Sequence, residues 1–299
     1  MAVSGGGDSL ALLLLAHAAF PGGVEAATVD HGLRTESADE AAFVGEICRS
    51  LEVPHATLTV AVEPGNVQAR ARAARYDALA AWAERRGLVA IATAHQLDDQ
   101  AETMMMRLNR GSGIGGLAGV RRLTGVPGHG HLRLVRPLLG WRRAELAALV
   151  ESAGIAPICD PSNEDTRYDR VRVRQEIAAA EWLDPAAIAR SAGLLADAKD
   201  ALDWVVSREW LECVERDADG FSYRALASGL GGDQVIRPML VVRIFSALGR
   251  DLDMSGAAGI VDGLIGGGKS NVAGIEAVPD DASGERRWIF RPETPRRTG

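Results

Sequence analysis

Ser4-Gly5-Gly6-Gly7-Asp8-Ser9 is the stretch on which the fold turns. It stands between a short apolar stub, Ala2-Val3, and an apolar run from Leu10 to Ala16. Three adjacent glycines let a backbone approach a ligand closely, because no Cβ stands in the way. Their amides and the N-terminus of a following helix present oriented N–H groups, an arrangement that holds phosphate. Ser4 and Ser9 add hydroxyl donors. Asp8 would repel a bare phosphate, so a magnesium ion is expected between them. In an open parallel sheet such a loop lies outside the carboxyl end of a strand, where ligands bind.

Outward from this loop the chain alternates. Residues 24–30, 57–62, 89–93 and 132–135 read as apolar strands, and residues 10–19, 38–51, 67–86, 98–109 and 142–153 as helices. This pattern predicts an α/β fold, a parallel sheet with helices on both faces, over residues 1–183. Ala2 and Val3 are fewer than the five or six residues of a usual strand. That implies a shortened first strand and a chain that starts later than its natural start. The glycine-rich run from Gly111 to Gly119 reads as a mobile loop without regular structure. Past residue 185 the alternation stops. Leu195, Ala198, Leu202, Val205 and Val206 keep helical spacing, as do residues 239–248. A smaller, mostly helical domain is expected over 184–299, ending in strands near 271–278 and 287–290.

Composition narrows the class. The 299 residues are 47% hydrophobic, enough to bury a large core. No apolar run approaches the roughly 18 residues of a membrane span, and no charged leader precedes Leu10, so a cytoplasmic address without a membrane partner is expected. Cys48, Cys159 and Cys213 lie far apart, which disfavours a zinc knuckle, an iron–sulfur site or a redox dithiol. Cys48 shares an apolar helical stripe with Ala41, Val44 and Leu51 and is expected in the core. The net charge is −7, yet residues 104–175 hold twelve Arg against six acidic residues. That stretch carries +6 and the remainder −13, the pattern of a local polyanion site within an acidic chain.

No Lys follows the glycines, so the loop is not a Walker A motif. It resembles the PP-loop of ATP pyrophosphatases, which cleave ATP between the α and β phosphates and adenylate a substrate. Gly263, Gly268, Lys269 and Ser270 do satisfy Walker A spacing. A helical pattern precedes them and a strand-like one follows, the reverse of what that motif requires, so a turn is expected there.

Three further segments carry a closer resemblance. They are Val29-Asp30-His31-Gly32-Leu33-Arg34; the run Ala92 to Thr103 with Arg107-Leu108-Asn109-Arg110-Gly111-Ser112-Gly113; and Asp160-Pro161-Ser162-Asn163 with Tyr168, Arg170, Arg172 and Arg174. Asp99 and Glu102, three apart on one helix, face the same way and suit either a magnesium ion or an ammonium group. Arg170, Arg172 and Arg174 alternate, so an extended segment would project them to one face. Together with the loop these segments resemble the tRNA(Ile)-lysidine synthetase family over roughly the first 175 residues.

The resemblance implies a ligase that forms a carbon–nitrogen bond. ATP adenylates the C2 carbonyl oxygen of the wobble cytidine in a tRNA(Ile) precursor, and the side-chain amine of L-lysine then displaces AMP. It implies ATP held by Ser4, Gly5, Gly6, Gly7, Asp8 and Ser9 with Asp30 and His31, and Mg2+ held by Asp8 and Asp98. Lysine falls to Asp99 and Glu102, and tRNA to Arg110, Arg170, Arg172 and Arg174. Asp8, Arg75, Asp99, Glu102 and Arg172 are the expected catalytic set, and a homodimer the expected assembly. Gln96 stands where a second His is usual, and Val171 where Asn is frequent. An extra C-terminal domain of longer members is expected to be absent. The alternatives are a thiolating PP-loop enzyme and a non-catalytic RNA-binding protein that keeps the fold.

Overall fold

The computed structural model describes residues 1–30, 36–60, 67–159, 165–225, 234–280 and 287–293. Its chain divides into two compact units, Met1–Ala196 and Asp197–Gly299. In chain order the first holds α1 (Gly7–Ala19), β1 (Ala26–Asp30), α2 (Glu36–Ser50), β2 (His55–Thr59), α3 (Val67–Arg85) and β3 (Ala90–Ala92). There follow α4 (Leu97–Leu108), α5 (Ile114–Leu117), β4 (Leu123–Val126), β5 (His129–Val135), α6 (Arg143–Ser152) and α7 (Asp169–Ala179). The helix α8 (Pro185–Cys213) runs across the division, and the expected boundary at 183/184 falls just before its start.

The stub proves central. Ala2 bridges Ala27 of β1 in parallel, Val3 N donates to Ala27 O at 2.9 Å, and Ala2 N donates to Ala92 O of β3 at 2.9 Å. With β1 parallel to β2 and β3 parallel to β5, the order across the sheet is β2, β1, stub, β3, β5, and β4 closes it antiparallel to β5. The sequence missed β4. Its only signal is the Pro127-Gly128 turn, with Gly128 at φ +76.

Successive residues of a strand point to opposite faces, and the two faces carry different helices. Val3 and Ala26 pack with Leu10, Leu12 and Leu13 of α1, Val44 and Cys48 of α2, and Leu146 and Val150 of α6. Ala2 and Ala27 pack with Tyr76, Leu79, Trp82 and Ala83 of α3. Helices on both faces are thus observed. Full burial of each α1 leucine is worth about 1.5–3 kcal/mol, which seats this helix although Gly6 offers its N-terminus no side-chain cap. Cys48 is in the core as expected, and burial pushes its thiol up to about 11.

Two expectations are corrected. The run Gly111–Gly119 contains a helical turn, α5, and is tied down. Arg107 Nη1 donates to Gly116 O at 2.6 Å and to Gly119 O at 3.1 Å, while the Gln100 amide exchanges two hydrogen bonds with the backbone of Val120. The segment with Arg170, Arg172 and Arg174 is not extended but forms α7. Helical spacing puts Arg170 and Arg174 on one face and turns Arg172 away.

The second unit adds β6 (Val214–Arg216), β7 (Phe221–Tyr223), α9 (Ile236–Ala247), α10 (Met254–Ile265), β8 (Ser270–Val272), β9 (Ile275–Asp280) and β10 (Arg287–Pro292). The five strands form one antiparallel sheet in the order β6-β7-β10-β9-β8, packed on α9 and α10 around Trp288, Phe290 and Phe245. It therefore holds more sheet than the two terminal strands legible in the sequence. The strands missed are three residues long, too short for a period to show. Gly263 to Ser270 joins the end of α10 to β8, the turn expected in place of a Walker A loop. Among the described residues no helix is long and apolar enough to cross a membrane.

Candidate active site

The loop Ser4–Gly7 leaves the carboxyl end of the central stub and enters α1, and the stub's two neighbours end beside it. Gly5 adopts φ +84, and a Cβ there would run into Ile158 Cδ1. Its carbonyl accepts from Ile158 N at 3.0 Å. Ser9 Oγ donates to Gly6 O at 2.8 Å and accepts from Ser4 N at 3.1 Å, so this serine closes the loop. A cleft of about 820 Å³ opens over it, lined among others by Ser4, Gly6, Gly7, Asp8, Ser9, Arg75, His95, Asp99, Arg143, Arg170 and Arg174.

Across the cleft stands the N-terminus of α4. Gln96 caps it: its Oε1 accepts from Asp98 N at 2.5 Å and Asp99 N at 3.3 Å, and Asp99 Oδ2 accepts from Gln96 N at 3.1 Å. The departure from a second His is thereby a cap that fixes the carboxylates behind it. Asp99 faces the cleft, with Oδ1 3.3 Å from Arg170 Nη2 and 3.5 Å from Arg143 Nη2. Burial pushes the Asp8 and Asp99 carboxyls above their ordinary values, against the pull of Arg143 on Asp8 and of Arg170 on Asp99.

Glu102 is placed differently. Its side chain is 2% exposed and caged by three arginines: Arg170 Nε at 2.7 Å from Oε2, Arg174 Nε at 2.7 Å and Arg143 Nη2 at 3.3 Å from Oε1. Burial alone would raise its carboxyl, but the hydrogen bonds from Arg174 and Arg170 outweigh burial and hold it below the usual value. With both oxygens engaged, Glu102 orders the arginines rather than offering itself to the cleft.

The remaining expected residues divide. Asp30, at the end of β1, accepts from Ser37 Oγ at 2.6 Å, and His31 and Asp160–Asn163 lie outside the described residues. Asp98 faces away from the loop, where Oδ2 accepts from Arg143 N at 2.8 Å, and it lines a separate smaller pocket. The structure does not bring it to Asp8. Arg110 and Arg172 both pair with Asp169, at 3.1 and 2.5 Å, outside the cleft lining.

Two residues of the cleft stand outside the expected site set. Arg143 reaches Asp8 at 3.9 Å as well as Asp99 and Glu102, linking the loop to α4. Its signal was legible: Arg142-Arg143 opens a helix, where the dipole disfavours cations. His95 lines the cleft with Nδ1 3.0 Å from Thr93 Oγ1. Burial, then Arg136, Arg170, Arg75 and Arg72, push its pKa down to about 3, so the imidazole is neutral at physiological pH.

Residues 1–181 match the PP-loop domain family, an ATP-binding one. The chain is 55% identical to a tRNA(Ile)-lysidine synthase of Novosphingobium aromaticivorans over 75% of its own length and 68% of that protein's. It is 47% identical to that of Zymomonas mobilis, over 70% and 64%, and 37% identical to that of Methylobacterium nodulans, over 100% and 91%. A solved structure of the U34-tRNA thiolase NcsA from Methanococcus maripaludis with its [4Fe-4S] cluster superposes with TM-score 0.52 at 18% identity, covering 68% of this chain and 71% of that one. That likeness shows a shared fold. The loop, the α4 cap with its carboxylates and these relatives together place the chain in the tRNA(Ile)-lysidine synthase family of PP-loop proteins.

Proposed function

We propose that this chain performs its family's ligation: ATP activates the wobble cytidine of a tRNA(Ile) precursor, and L-lysine replaces AMP. The observation that carries this reading is one cleft holding both an uncapped phosphate-type loop and the Asp99 carboxylate, with cationic side chains between them.

The amides at the start of α1 and the hydroxyl of Ser4 hold the triphosphate. Asp8 is the group that would hold Mg2+. Its carboxylate oxygens suit a hard cation of this kind. When bound, it neutralises charge on the phosphates. Arg143 and Arg174, turned toward the same loop, stabilise the charge that develops as the cytidine O2 bonds to the α-phosphorus and pyrophosphate leaves.

Lysine arrives as an ammonium ion, with an unperturbed pKa of about 10.4. Asp99 binds this cation and takes the proton, which its burial-raised pKa favours. The freed amine attacks C2, and the C2–O bond breaks with AMP as leaving group. Neutral His95 offers a hydrogen bond to the base without adding charge. Arg75, by its place in the cleft, serves lysine or the cytidine. Glu102 acts through Arg170 and Arg174, which it positions.

The decisive experiment is incorporation of radiolabelled lysine into tRNA(Ile) transcripts, with AMP release measured in parallel. Incorporation into tRNA(Ile) and not into other tRNAs is the expected result. AMP release without incorporation would overturn the assignment of lysine as nucleophile.

A further inference from the structure

The mechanism gives no role to Arg72 and Arg136, which group with Arg75. Arg72 and Arg75 on α3 and Arg136 just past β5 converge on Tyr76, which is 1% exposed. The guanidinium carbons of Arg72 and Arg75 lie 5.1 and 5.3 Å from the ring centroid. Arg72 Nη2 donates to the Tyr76 hydroxyl at 3.4 Å, and Arg136, itself only 6% exposed, neighbours the same hydroxyl. Among the described residues no carboxylate pairs with any of the three. Arg136 Nη1 is used on Arg121 O at 2.6 Å and Thr124 Oγ1 at 3.3 Å, but its Nε and that of Arg75 are buried without an acceptor.

The contrast with Arg143, Arg170 and Arg174 is informative. Those three surround Glu102 and are neutralised by it and by Asp99. The trio around Tyr76 holds like charge together with no anion of its own, an arrangement whose repulsion an incoming anion relieves. Guanidinium groups with donors left over suit phosphate above other anions.

We propose that Arg72, Arg75 and Arg136 form a subsite for a backbone phosphodiester of the RNA substrate beside the reacting nucleotide. The inference rests on the RNA substrate of the proposed function and adds to it where the strand is gripped. Arg75 also lines the cleft above the loop, whereas strand order sets Arg136 apart from the ATP phosphates. The loop leaves the central stub, His95 follows β3, and Arg136 follows β5, so β3 stands between the loop and Arg136. The trio also grades from buried Arg136 to exposed Arg72, as a groove must if a polymer is to enter it from solvent.

The test uses the full chain and an anticodon stem-loop RNA with cytidine at the wobble position, its affinity measured across a salt series. Arg72 is exposed, so Arg72→Ala should keep the parent's thermal melt. It should flatten the slope of log K against log salt by about 0.7–0.9, the signature of one lost phosphate contact, and Arg72→Lys should restore most of it. Neutral methylphosphonates placed one at a time in the loop should reveal a position that weakens binding to the parent and is silent with Arg72→Ala. An unchanged slope with no such coupling overturns the proposal. So does an unchanged slope with a raised KM for lysine, which would assign the trio to the amino acid's carboxylate. If the parent incorporates no lysine but slope and coupling behave as stated, the phosphate site stands and the reaction assignment falls.

Discussion

Arg170 Nε lies 2.7 Å from Glu102 Oε2, joining α7 to α4 across 68 residues of sequence. With Arg174 on the other oxygen, the pair turns a helix at the end of the catalytic region into one wall of the cleft. Asp99, one turn before Glu102, then faces the cleft with Arg170 and Arg143 at its Oδ1.

Glu102→Gln should therefore damage the fold first and the chemistry through it. The substitution leaves three arginines around a neutral amide. Losing one partner of a buried pair costs about 3–5 kcal/mol; the arginines here are 31–41% exposed, so solvent screening brings the expectation to about 2–3 kcal/mol. A urea titration reads it. Stability within about 0.5 kcal/mol of the parent would show that the cage is not a stabilising element.

The same cage sets an acid limb. Glu102 is held below its ordinary value in the folded state. Its contribution is full above the unfolded pKa of about 4.3 and is lost as pH falls through the lower folded one. Asp8 and Asp99 are raised by burial, so their protonation favours the fold and works the other way. Stability of the parent should fall between about pH 5 and pH 3. In Glu102→Gln this limb should flatten or change sign, which denaturant midpoints across that range will show.

Asp8→Asn should separate stability from activity. Burial penalises the Asp8 charge, with Arg143 only partly compensating at 3.9 Å. The neutral amide relieves that penalty, so the melting temperature at neutral pH should not fall. AMP formation should drop by about a hundredfold or more, the scale for removing one group that stabilises developing charge. Normal AMP release from the folded variant would remove Asp8 from the ATP site.

Much of this architecture is legible in the residues, and the limits have physical causes. The loop and the run from Ala92 to Thr103 are local motifs, and a local motif places its own backbone. The period of the apolar residues gives α1 to α4 and the sheet they cover. What sequence does not give is which charge meets which. Asp98 and Asp99 are adjacent, yet the α4 cap turns one to the cleft and the other to Arg143 N. Alternating Arg170, Arg172 and Arg174 suit a strand or a helix equally on local grounds. Long-range ion pairs to Asp99 and Glu102 favour the helix, and those partners lie about seventy residues away.

Gly5→Ala tests the loop's backbone. A side chain at φ +84 costs about 1–2 kcal/mol, and its Cβ would push on Ile158, whose amide is bonded to the Gly5 carbonyl. Relief by shifting the loop would move the amides away from the phosphates. The expected result is a lower melting temperature together with a raised KM for ATP and an unchanged KM for lysine. Equal rises in both would mean that the loop also shapes the lysine site.

The arginines of α7 should sort by face. Arg170 and Arg174 line the cleft and hold Glu102, whereas Arg172 is 59% exposed and pairs with Asp169 on the other side. The family resemblance points to one arginine of this cluster, expected to be Arg172, and an extended segment would have aligned all three. On a helix the middle residue lies about 200° from its neighbours two positions away, so it cannot share their site. Arg170→Ala and Arg174→Ala should each lower kcat by tenfold or more, on the order of one charge-assisted contact to the reacting centre. Arg172→Ala should hold kcat within about twofold, since an exposed i,i+3 pair is worth only about 0.3–0.5 kcal/mol. If it touches RNA, its loss will appear in the salt dependence of binding, as one contact fewer. Single-turnover lysine transfer with saturating RNA isolates chemistry from binding. A collapse of that rate in Arg172→Ala alone would mean that α7 rotates or unwinds when substrate enters.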